Sequence, residues 1–296
     1  MRPLYVILLQ AIISLAPAIA LCAYIYVKDR KEKEPAWLLF TLFFAGAAAF
    51  FVAFFAQKGF LWNDYVIDNW HGLTGVFDKM FADNIKTTFG AKSLGGAGIG
   101  AVTYYEPASA EYTHALLNGF VGIAAVEEAV IWLVVFFSTF KSKHFNSFFD
   151  GIVYACFVSL GFAAIDNVRY AIVNGWDQLL LRAITSVPAY MFFGIIMGVC
   201  YTMWHVYGIS GKRKKLYDEL WLIASFVLPT LVHGVYSFME LIDTNAMKIA
   251  FYCFLAILYV VCFLLVRKMS KSDASDKEIA EKIDNDEDLL IKEEEK

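Results

Sequence analysis

Charge is scarce in this chain. Asp, Glu, Lys and Arg make up only 18% of its 296 residues, and hydrophobic residues make up 59%. A soluble globular domain carries about a quarter charged residues, so this balance excludes one. Regular alternation of apolar and polar residues is missing too, which excludes a large water-facing fold built on a half-buried face. Cysteine is thinly used. Cys22, Cys156, Cys200, Cys253 and Cys262 all lie in apolar runs without C-x-x-C spacing. They read as small core hydrophobes rather than disulfides or metal ligands. No basic stripe interleaved with aromatics occurs, which excludes nucleic acid as a partner. No internal repeat marks an inverted-repeat transporter.

What remains is a series of long apolar runs. Seven spans are read, at about 4–27, 36–56, 115–139, 149–173, 183–206, 220–239 and 248–267. Each is long enough to cross a bilayer as a helix, the form in which a segment satisfies its own backbone in lipid. The fold expected is an all-α polytopic transmembrane bundle of about seven helices in residues 1–267, with the lipid bilayer as its surroundings. The start, Met1-Arg2-Pro3, with Ala18-x-Ala20 further on, resembles a signal peptide. The apolar run continues to Val27, which favours a retained first helix. The connection 57–114 is the one long loop. Its glycines Gly95, Gly96, Gly98 and Gly100 have neither a preceding strand nor a following Lys-Ser/Thr, so they read as a loop and not a phosphate cradle. Residues 272–296 hold eleven acids and four lysines. The tail 268–296 is therefore expected to be acidic, disordered and cytoplasmic.

Lysine and arginine set the orientation. Thirteen of them flank one side, in loops 28–35, 140–148 and 207–219 and after the last span. Arg2, Arg182 and Lys248 stand on the other. The expected protein sits in the plasma membrane with its N-terminus outside and its C-terminus in the cytoplasm.

Ionisable residues inside spans are costly and face the bundle interior. They are Glu127 and Glu128 in the third span, Asp166 and Arg169 in the fourth, and His233 in the sixth. Tyr190 in the fifth is a polar companion. At 1.5 Å per residue, Glu127, Asp166, Tyr190 and His233 all fall about 10–13 Å below the outer face. That agreement in depth points to one shared polar site. Glu127 and Glu128, as neighbours on a helix, are expected to point about 100° apart. A buried carboxylate suits general-base work, and a histidine suits support of an oxyanion or a leaving amine. Carboxylates with a histidine could instead hold a divalent metal such as zinc, with Glu128, Asp166 and His233 as candidates. Asp166 and Arg169, three apart, could also be a plain buried ion pair. A proton or ion path through the carboxylates is a further reading.

The order of these motifs resembles the PrsW family of bacterial intramembrane proteases, within the wider CAAX-protease group. The resemblance rests on Glu127-Glu128, on Asp150-Gly151-Ile152-Val153-Tyr154, on Ser159-Leu160-Gly161-Phe162-Ala163, and on Pro229-Thr230-Leu231-Val232-His233-Gly234-Val235-Tyr236. The first span, from Ser14-Leu15-Ala16-Pro17 to Glu34-Pro35, is similar as well. The chain departs from the family pattern at Ile131 (usually Lys), Asp166-Asn167 (Glu-Asn), Arg169 (apolar), Tyr190 (His) and Ser237 (Asn or Asp). The resemblance implies an intramembrane endopeptidase that cuts a single-pass membrane protein, such as an anti-sigma factor, near its outer side. It implies Glu127, Glu128 and His233 as catalytic residues, supported by Asp166, Asn167, Tyr190 and Ser237. The departures imply the alternative of a non-proteolytic relative that binds or regulates membrane partners.

Overall fold

The computed structural model describes residues 3–30, 33–60, 112, 115–209, 215–271, 273–275, 277–282 and 285. Seven helices among them are long and apolar enough to cross a membrane. They are α1 (Leu4–Lys28), α2 (Ala36–Phe60), α3 (Ala115–Thr139), α4 (Asp150–Asn174), α6 (Ser186–Ile209), α7 (Lys215–Leu241) and α8 (Asn245–Lys271). A short α5, Trp176–Ile184, leads into α6. No strand occurs among the described residues. Most of loop 57–114, with Trp62, Trp70, His71, Tyr104, Tyr105, His114 and the glycine-rich stretch, lies outside them.

One helix organises the rest. Residues Asp150 to Ala164 of α4 are buried without a break. The helix is wrapped by α1, α2, α3 and α6, and α7 packs on α6 and on the start of α3. A helix enclosed by protein has no lipid-facing stripe to fill with leucine and phenylalanine. This explains how the fourth span can be among the least apolar of the seven. The wrapping depends on small residues. A Cβ on Gly161 would collide with the Phe43 carbonyl oxygen, and one on Gly46 would collide with that of Val158. Only glycine lets the backbones of α2 and α4 meet there, as small residues do generally between membrane helices.

The two ends of α4 differ in how the chain is held. Gly175 ends the helix with φ 93°, a conformation that side chains resist. The chain turns sharply there into α5. At the opposite end of α4, the start of the acidic stretch is bound. Phe148 N donates to Ala274 O at 3.1 Å, and Ser147 and Ser275 form an isolated β-bridge. Asp273 Oδ1 accepts from Phe149 N at 3.2 Å. α8 runs four residues past its expected end, to Lys271, and residues 273–275 are held against the start of α4. Asp29 is buried in the same region and accepts from Glu34 N at 3.3 Å. Burial raises its carboxyl to about 6, the Glu34 amide partly offsets this, and the nearby charge of Asp273 adds to it.

Candidate active site

Four helices bring polar side chains to one point. The close contact of α3 and α7 is made by glycine. A Cβ on Gly119 would sit 2.8 Å from Phe238 N, and one on Gly234 would run into the Phe120 ring. Just before the glutamates, Asn118–Ala125 is wound as a π-helix, and α-helix resumes at Val126. Such wide turns occur often at functional sites. Each one shifts the facing of every residue after it.

The two glutamates meet the same imidazole from opposite sides. Glu128 Oε1 lies 2.9 Å from His233 Nδ1. Glu127 Oε2 lies 4.0 Å from Nε2. With Glu128 ionised, Nδ1–H donates to it, and Nε2 is left facing Glu127. Adjacent glutamates diverge on a helix, yet here they converge on one ring. The ring makes this possible, because its two nitrogens are themselves spread apart. Glu127 is held from behind as well. Tyr190 Oη donates to its Oε2, and Gln57 Nε2 donates to its Oε1 at 3.0 Å. Phe193 stacks on His233 with centroids 4.4 Å apart, and Tyr190 meets the ring edge-on at 5.2 Å. The imidazole is thereby fixed in position and orientation. Glu128 and His233 have side-chain exposures of 0% and 3%, and Glu127 has 12%, so Glu127 is the least enclosed of the three.

Asp166 is nearby but committed elsewhere. Its Oδ1 accepts from Arg169 Nη2 at 2.7 Å and Nε at 3.1 Å, and its Oδ2 accepts from Arg182 Nη2. Arg182 Nη1 also approaches Glu240 Oε1 at 3.9 Å. The Tyr170 ring lies 4.3 Å from the Arg169 guanidinium carbon and 3.7 Å from that of Arg182. Asn167 turns to α1, where Nδ2 donates to Ser14 O at 2.9 Å. Ser237 is buried one turn beyond His233. The structure thus joins Glu127, Glu128, Tyr190 and His233, and draws Asp166 and Asn167 into other contacts. Gln57, Arg182 and Glu240 take part without having stood out in the sequence. A glutamine closing an uncharged run, and an arginine standing among the few cations of its side, were the available signals.

Residues 34–266 match the family model described as PrsW family intramembrane metalloprotease. The chain belongs to the PrsW family. Curated relatives named Protease PrsW agree. The one from Oceanobacillus iheyensis is 29% identical over 258 residues, covering 87% of this chain and 94% of its own. That of Bacillus subtilis is 30% identical over 233 residues, covering 77% and 82%. That of Geobacillus kaustophilus is 31% identical over 226 residues, covering 76% and 77%. No solved structure matches the chain. Membership makes it a multi-pass membrane protein of an intramembrane protease family, with a bilayer around it.

The PrsW description implies a metal. A catalytic zinc takes three protein ligands and a water. The set Glu128, Asp166 and His233 is not assembled, because Asp166 is spent on two guanidiniums and Glu128 stands behind the imidazole at Nδ1. Only Glu127 and His233 Nε2 face each other. No group of three His, Cys, Asp or Glu able to hold a metal ion occurs among the described residues. The described residues therefore do not form a three-ligand centre.

Proposed function

We propose that this PrsW-family protein is an intramembrane endopeptidase whose own acid–base groups do the chemistry. The observation that carries the reading is the facing pair of Glu127 and His233 Nε2, each held from behind by partners of its own. Glu127 takes a proton from water, whose oxygen attacks the scissile carbonyl carbon. The imidazolium of His233, kept in place by Glu128, donates Nε2–H to the oxyanion. The tetrahedral intermediate collapses as Glu127 returns its proton to the departing amide nitrogen. Acid and amine products leave, and the enzyme is as it began. Ionised Glu128 holds the ring so that Nε2 stays aimed at the reacting carbonyl.

The substrate in this reading is a single-pass membrane protein of the anti-sigma-factor kind, cut near its outer side. Orientation supports the side: the cation-rich loops favour an N-terminus outside, which puts the glutamates in the outer half. A test is cleavage of a co-expressed single-pass reporter carrying such a membrane segment. Glu127→Gln is expected to lower cleavage by about 10²–10⁴-fold, the usual contribution of a general base. Full activity in that variant overturns the mechanism. One observation favours a non-proteolytic second reading: the Tyr190 hydroxyl occupies Glu127 where the family pattern has histidine. A parent that leaves the reporter intact, with cleavage gained in Tyr190→His, would establish it.

A further inference from the structure

Gln57 lies in the last turn of α2, and its half-buried amide does two things at once. Its Nε2 donates to Glu127 Oε1 at 3.0 Å and to the Gly122 carbonyl at 3.3 Å. Gly122 lies within the π-helical turns that precede the glutamates. Both protons of one rigid amide therefore go to α3, one to the reacting carboxylate and one to the backbone that carries it. Tyr190 holds the other oxygen of Glu127, from α6. A carboxylate held at each oxygen by a separate helix cannot rotate about its terminal bond, and its remaining lone pairs point in a fixed direction.

We infer that Gln57 is a positioning residue for Glu127, tying the end of α2 to the π-helical turn and aiming the carboxylate at the bond to be cut. The inference rests on the catalytic reading of Glu127. Pre-orientation of this kind acts on the chemical step rather than on substrate affinity. A carboxylate freed from its donor also becomes more reactive toward other reagents.

The test uses the full-length protein in lipid nanodiscs, with Gln57→Leu and Gln57→Glu. The second keeps the shape but turns the donor into an acceptor that opposes Glu127. Two readouts are taken. The first is kcat and KM on the single-pass reporter, where kcat is expected to fall about 10–100-fold with KM within about twofold. The second is modification of Glu127 by dicyclohexylcarbodiimide, followed by mass spectrometry with Glu127→Gln as the blank. Labelling is expected to rise several-fold in Gln57→Leu. A helix-stapling role alone would lower the melting temperature without changing labelling at Glu127 in the folded protein. Unchanged labelling in both variants overturns the inference, whatever cleavage does. Full cleavage by Glu127→Gln, with labelling raised in Gln57→Leu, overturns the catalytic reading and leaves the positioning contact standing.

Discussion

Asp166 answers two arginines, and its removal strands both. Arg182 is buried, and its guanidinium carbon lies against Tyr170 with Glu240 as its other acid. Asp166→Leu is expected to destabilise the protein by about 3–5 kcal/mol, the cost of leaving a buried charge unmatched. Arg169 is 24% exposed at its side chain, so Arg169→Leu costs less. Unfolding of both variants in detergent, followed by circular dichroism, checks the order. The same cluster was only partly legible in the sequence. Glu127, Glu128, Tyr190 and His233 stood out because an ionisable or polar group in an apolar run needs a reason, and their depths agreed. The fate of Asp166 was half legible: its pairing with Arg169, three residues on, could be read, and its pairing with Arg182 could not. Arg182 read as a loop charge that helped set orientation, and only the turn at Gly175 brings it back to α4. Gln57 was hidden for a related reason. Depth along a helix comes from counting residues, but lateral neighbours depend on how each helix is rotated.

At the scale of elements, the spans were legible almost to their ends, because the bilayer dictates their length and apolar character. The exceptions are local. α5 is too short and too polar to announce itself, and the π-helical turns in α3 leave no mark in composition. Gly175 carries the most specific demand. Its φ of 93° and ψ of −162° fall in a region held essentially by glycine. Gly175→Ala is expected to cost about 1–3 kcal/mol and to loosen Arg182 from Asp166. Faster hydrogen exchange across Trp176–Ile184 would register the loosening. An unchanged exchange pattern would mean that α5 is held by its packing alone.

Across the whole molecule, the end of the last helix and residues 273–275 link it to the first and the fourth. Ser270 Oγ donates to Lys28 O, Asp273 holds Phe149 N, and Asp29 lies buried beside them. Asp29 titrates near 6 when folded and near 3.8 when unfolded. The folded state therefore binds more protons between those values, and stability falls as pH rises through them. Below about pH 4 the contribution is fully present, and above about 6 it is gone. Melting temperatures at pH 4.5 and 7.5 should differ less in Asp29→Asn than in the parent. A parent and variant with parallel pH profiles would refute this.

The enclosure of α4 has a consequence for how the protein is made. A segment carrying Asp150, Asp166 and Arg169 is a poor candidate to leave the translocon alone, since each such charge in lipid costs several kcal/mol. Three of the helices that wrap it, α1, α2 and α3, are synthesised before it. The gene order thus delivers the shelter ahead of the helix that needs it, and α4 enters the membrane against protein already in place.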